Sequence, residues 1–202
     1  MLTNELFEVI RTGVLKNLEI NLPKDLYYHS VAHTIDVEMQ GERIAANEKS
    51  IDKEDLVLLK IGCLYHDTGF LFTYNEHEAA GCDLMVKELA AFGLTAKQID
   101  IVNGLIMATK IPQKPLTKLE AIICDADLDY LGREDFFPIS NNLFLELKAR
   151  NLVTTENEWN IIQTSFFKQH SYFTNTTRKL REQQKQLHFE MINAVTTYPV
   201  GS

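Results

Sequence analysis

Between Leu56 and Tyr65 the chain runs ten residues with a single charge, Lys60, and the run ends directly in His66-Asp67. An apolar stretch of this length, with no strand alternation, reads as a helix buried on nearly all sides. That constrains the fold strongly, because a helix apolar all round must lie inside a set of other helices that cover it. It also poses a chemical problem, since His66 and Asp67 are delivered into an apolar interior. Burying an unpaired carboxylate costs several kcal/mol, so something positive must meet it there. A metal ion, a salt bridge and a capped helix end each answer that need.

Helical spacing continues through the rest of the chain. Leu6, Val9, Ile10, Val14 and Leu18 form one stripe over residues 3–20, closed by Asn21-Leu22-Pro23. Tyr27–Asn47 reads as a second helix carrying His29 and His33. Asp52-Lys53-Glu54-Asp55 opens the central helix with acidic residues at its positive end. Thr68-Gly69 closes that helix, and residues 70–75 form a loop. Glu76–Phe92 is helical up to Gly93. Thr95–Gln98 and Thr117–Glu120 are capping boxes; the first opens a helix to Lys110, the second a helix to Leu131, with Pro112 and Pro115 between them. Phe136–Arg150, a helix capped at Thr155–Glu158, and a polar helix over Thr174–Thr197 complete the chain, the last expected on the surface. With only 9 Gly and 5 Pro, the expectation is an all-α, single compact bundle of eight or nine helices over residues 1–202.

The net charge of −8 argues against a nucleic-acid or anionic-membrane surface. It leaves room for a small phosphate substrate, because a local cation inverts the field inside one pocket. Cys63, Cys82 and Cys124 lie among apolar residues without C-x-x-C spacing, which points to reduced, buried thiols and a cytoplasmic setting. No basic leader followed by an apolar run opens the chain, and no stretch approaches the roughly 18 apolar residues of a membrane span. A soluble, cytoplasmic protein without a membrane or nucleic-acid partner is expected.

Four places carry ligand or acid–base chemistry. His29 and His33, four apart on a helix, point about 40° apart; they serve one site, or are ordinary half-buried histidines. His66 and Asp67 can converge on one ion at a helix end. Among Asp125, Asp127 and Asp129, Asp127 has Ile123 and Leu131 as its i−4 and i+4 neighbours and so lies on an apolar face. Asp125 and Asp129 share another face with Lys118 and Ala121, expected at a rim or in solvent. Two histidines and two aspartates from three helices suit an octahedral divalent cation with two open positions; a closed structural zinc site more often uses cysteine. The fourth place is Asn75-Glu76-His77-Glu78, where Glu76 and His77 open the next helix, together with Lys110 as a phosphate contact; for Glu76, His77 and Lys110 the alternative is a solvated helix-end charge.

Taken in order, His33, the His66-Asp67 doublet and Asp127 in Ala126-Asp127-Leu128 resemble the HD-domain superfamily of metal-dependent phosphohydrolases. The separations of 33 residues (His33 to His66) and 60 residues (Asp67 to Asp127) suit a small member. The likeness covers residues 27–135, with the helices of 136–202 expected to pack on that core. Asn75-Glu76, Ala108-Thr109-Lys110 and Asp127–Gly132 are similar to a branch of small phosphohydrolases. Tyr28-His29 through His33 is similar to cyclic-nucleotide phosphodiesterases, although Ser30 stands where an Asn usually follows. The resemblance implies one divalent cation (Mn, Mg, Fe or Zn) on His33, His66, Asp67 and Asp127. It further implies His29 as the acid that protonates the leaving group, Asp67 or Glu76 orienting water, and Lys110 meeting phosphate charge. The reaction implied is cleavage of a phosphate mono- or diester of a nucleotide or similar small metabolite by metal-activated water. Leu105–Thr109 lacks the histidine pair of multi-metal members, leaving His77 as the one extra ligand, and Phe70 stands where a deoxynucleotidase branch has Glu. Other readings the resemblance allows are a non-catalytic HD-fold signalling domain, a cyclic-nucleotide phosphodiesterase and a (p)ppGpp hydrolase.

Overall fold

The computed structural model describes residues 2–197, and among them the regular structure is helical throughout, with nine α-helices and no strand. Two compact units are formed, one by Met1–Lys24 and His29–Asp127, the other by Asp25–Tyr28 and Leu128–Ser202.

The first unit holds α1 (Asn4–Asn21), α2 (Val31–Asn47), α3 (Lys53–Tyr65), α4 (His77–Ala91), α5 (Ala96–Ala108) and α6 (Lys118–Asp127). The apolar run is α3, and its burial on both sides explains its composition. Val57, Leu58, Ile61, Leu64 and Tyr65 pack with Phe7, Ile10, Val14 and Leu18 of α1, with Met85 and Leu89 of α4 and with Val102 and Ile106 of α5. Leu59 and Cys63 pack with Val37 and Ile44 of α2 and with Ile122, Ile123 and Ala126 of α6. The lone charge, Lys60, reaches Glu38 at 3.6 Å and Glu42 at 3.4 Å. Asp52 caps α3 by accepting from the Asp55 N–H at 2.8 Å, and the capping boxes at Thr95 and Thr117 form as expected.

Two boundaries differ from the sequence expectation. Helix α2 starts at Val31 rather than Tyr27, because Ser30 adopts an extended backbone and accepts the His33 N–H. His29 therefore lies outside the helix, and the four-residue face argument does not apply to it. Helix α6 stops at Asp127 instead of Leu131, and a 3-10 turn over Asp129–Gly132 takes its place.

After α3 the chain makes a 3-10 turn, Thr68–Leu71, pressed against the start of α4. Gly69 is required by that approach: a Cβ there would lie 1.7 Å from the His77 carbonyl oxygen.

The second unit contains the Asp129–Gly132 turn, α7 (Phe136–Ala149), α8 (Glu156–Gln169) and α9 (Asn175–Thr197). Tyr28, Leu131, Phe136, Phe167 and Ile192 form its main cluster. Here α9 departs from the expected surface helix, since Thr177, Lys185, His188 and Ile192 are buried. The buried polar groups are satisfied individually. His188 Nδ1 donates to the Leu131 carbonyl at 2.9 Å, and Lys185 donates to the His170 carbonyl at 3.1 Å and pairs with Glu182 at 2.9 Å. Asp129, also expected in solvent, is wholly buried and held by Arg181 at 2.9 Å. No described helix is long and apolar enough to cross a membrane.

Candidate metal centre

The end of α3 carries the site. His66 occupies the C-cap position in helical geometry, and Asp67 leaves the helix at φ −105°, ψ 3°. That break turns both side chains toward one point, which two consecutive residues on a continuing helix, about 100° apart, could not reach. His33 arrives from the first turn of α2 and Asp127 from the last residue of α6. His33 Nε2 lies 3.3 Å from His66 Nε2, 3.4 Å from Asp67 Oδ2 and 3.2 Å from Asp127 Oδ1. His66 Nε2 lies 3.2 Å from Asp67 Oδ2 and 3.7 Å from Asp127 Oδ1. His33, His66 and Asp127 form a group able to hold a metal ion. Asp67, the fourth residue chosen from the sequence, is not in that group but lies beside it, 3.2 Å from His66 and 3.4 Å from His33.

The donor set fits a cation. His66 Nδ1 is 2.8 Å from the Cys63 carbonyl and must donate to it, so Nε2 is the atom left to bind. It faces His33 Nε2, and two imidazole nitrogens this close need a proton or a cation between them. Asp67 Oδ2 is buried 3.2 Å from His66 Nε2 and 3.4 Å from His33 Nε2, without a well-aligned hydrogen bond to either. A buried carboxylate oxygen in that condition has a lone pair available to a cation.

Electrostatics agree. Burial opposes charging of the His66 ring, but the Asp67 and Asp127 carboxylates prevail and push its pKa up to about 9. Burial likewise opposes the Asp67 charge, yet the His66 and His29 rings hold its pKa well below the ordinary carboxylate range. The neighbouring thiols take no part as anions: burial foremost, then nearby carboxylates, raises the pKa of both Cys63 and Cys124.

Around the four lies a second layer. His77 Nε2 is 3.4 Å from Asp67 Oδ1 and 3.6 Å from the buried Glu78. Phe70 stacks on His77 with ring centroids 3.9 Å apart and packs on His29 at 4.2 Å. The ring centroids of His29 and His33 are 6.1 Å apart, so His29 stands beside the cluster despite preceding α2. Glu76, in a left-handed backbone conformation at φ 55°, pairs with Lys110 on the exposed side. Asp125, expected in solvent, is wholly buried. Sequence reasoning missed two residues. Glu78 belongs to the Asn75–Glu78 stretch, but nothing in its spacing gives it a role of its own. Gln113, whose Nε2 donates to Asp127 Oδ2 at 3.3 Å, sits in an irregular link where no periodicity could single it out.

Residues 30–129 match the family model of the HD domain. Among solved structures, a protein from Lactobacillus plantarum matches at a TM-score of 0.68 and 17% identity, covering 98% of each chain. Bacillus subtilis YpgQ, solved in complex with ADP, matches at a TM-score of 0.65 and 16% identity, over 96% of this chain and 98% of that one. At these identities both likenesses concern the fold. No curated protein matches significantly.

Proposed function

We propose that this chain, which belongs to the HD-domain superfamily, is a single-metal phosphohydrolase cleaving a phosphate mono- or diester of a nucleotide or similar small metabolite. The observation that carries the reading is the convergence of Asp67 Oδ2 and Asp127 Oδ1 on the Nε2 atoms of His33 and His66, at 3.2–3.7 Å. His33, His66, Asp67 and Asp127 hold the cation. When bound, a divalent cation of this kind polarises a phosphoryl oxygen and makes water a nucleophile near neutral pH. The ADP complex of YpgQ, a protein of the same fold, supports a nucleotide as ligand class.

The chain's own residues supply the rest. His29, next to the cluster and packed on Phe70, protonates the leaving oxygen. Asp67 keeps its charge because the His66 and His29 rings favour it, and Asp67 or Glu76 orients the attacking water. Lys110 exchanges its Glu76 partner for phosphate oxygens as negative charge builds up.

The test is turnover of an aryl phosphate ester and a nucleotide panel with added Mn²⁺. The wild-type chain turns over at least one of them. His29→Ala keeps its metal and loses about 10²–10⁴-fold in rate, the usual worth of a general acid. No turnover with metal bound would instead favour a binding or signalling module.

A further inference from the structure

Three of the four residues in the cluster follow one plan: each presents one atom inward while another is met from outside. His66 Nδ1 is held by the Cys63 carbonyl, and Asp67 Oδ1 has His77 Nε2 beside it. For Asp127, Oδ1 faces His33 at 3.2 Å, and Oδ2 accepts from Gln113 Nε2 at 3.3 Å. The same nitrogen donates to the Cys124 carbonyl at 3.3 Å, so both N–H groups of the Gln113 amide are committed to the end of α6. The amide cannot be turned over, because its oxygen would then face a carboxylate and a carbonyl. This orientation leaves Gln113 Oε1 buried with no hydrogen-bond partner among the described residues. An unmet buried acceptor is a net cost to folding. The fold bears that cost and keeps the amide hydrogens on Asp127.

We propose that Gln113 is a positioning residue for the metal centre: by fixing Asp127 Oδ2 it aims Oδ1 at His33 and His66, and so sets the affinity for the cation. This rests on the metal-centre reading above. A side chain that orients a metal ligand typically contributes 10–100-fold to affinity.

The test measures Co²⁺ dissociation constants by equilibrium dialysis, with the visible Co²⁺ spectrum as a second readout. The chains compared are wild type, Gln113→Met, Asp127→Asn and the double variant, each checked for helical far-UV signal; Gln113→Leu replaces Gln113→Met if that chain does not fold. Gln113→Met is expected to weaken Co²⁺ binding about 10–100-fold and to alter the spectrum. In the Asp127→Asn background the same replacement should add less than about threefold, because its target is gone. Unchanged affinity in Gln113→Met, or equal weakening in both backgrounds, overturns the positioning role while leaving the metal centre standing. A wild-type chain that binds no Co²⁺ overturns both.

Discussion

Replacing Gly69 by Ala tests whether the turn after α3 really sets the site. A Cβ at residue 69 would lie 1.7 Å from the His77 carbonyl oxygen, 2.6 Å from its carbon and 2.8 Å from the Gly81 nitrogen. All three are backbone atoms, so no side-chain rotation relieves the overlap. The start of α4 must move by more than an ångström, carrying His77 and Glu78 away from Asp67. Overpacking commonly costs about 1–3 kcal/mol, and a backbone collision belongs at the upper end, about 3 kcal/mol. For a chain of this size that lowers the melting temperature by roughly 6–12 °C. Gly13→Ala is the internal control, because nothing lies within 4 Å of its Cβ and it sits inside α1. The same chemical change there should stabilise by about 0.5–1 kcal/mol through helix propensity. Urea titrations followed by far-UV circular dichroism, with slopes compared, give both values. A Gly69→Ala chain as stable as the parent, or a Gly13→Ala chain destabilised to the same degree, refutes the argument.

Metal affinity should depend on pH in a set direction. His66 must lose its Nε2 proton to bind, and its pKa of about 9 means the proton competes below that value. Apparent Mn²⁺ affinity should therefore rise about tenfold per pH unit from 6.5 to 8.5, with about one proton released per ion in calorimetry; a flat profile would contradict this. In the second unit, Arg181→Met removes the main partner of the wholly buried Asp129. Arg133 stays 3.9 Å from Asp129, so the cost in urea titration should be about 1–3 kcal/mol, less than that of a buried charge stripped of every partner; a loss of a few tenths of a kcal/mol, the scale of an exposed pair, would contradict Arg181 as a substantial partner.

Much of the architecture was legible because apolar periodicity and capping chemistry are local. The unbroken run of α3 announced a central helix, and Thr95-x-x-Gln98 and Thr155-x-x-Glu158 marked helix starts that form as written. The residues of the cluster were legible because His66-Asp67 broke an apolar pattern and Asp127 lay on an apolar face. The misread polar positions share a cause: a hydropathy pattern treats a polar residue in a polar stretch as solvated. Asp125, Asp129, Lys185 and His188 are buried; Asp129 meets Arg181, Lys185 meets His170 and Glu182, and His188 meets Leu131, partners distant in sequence as well as near. Helix α9 thus hides a polar stripe, Thr177, Arg181, Lys185 and His188, at helical spacing. Gln113 was invisible for a related reason, since its meaning arises only when the link before α6 folds back on Asp127.

The claim that His66-Asp67 ends α3 as a metal centre is tested most directly by metal content. Inductively coupled plasma mass spectrometry on the wild-type chain and on Asp67→Ala, loaded with Mn²⁺ and desalted alike, should find about one ion per chain in the first and none in the second, with unchanged helical content. Full retention of the ion by Asp67→Ala would contradict the account, as would a wild-type chain that binds none.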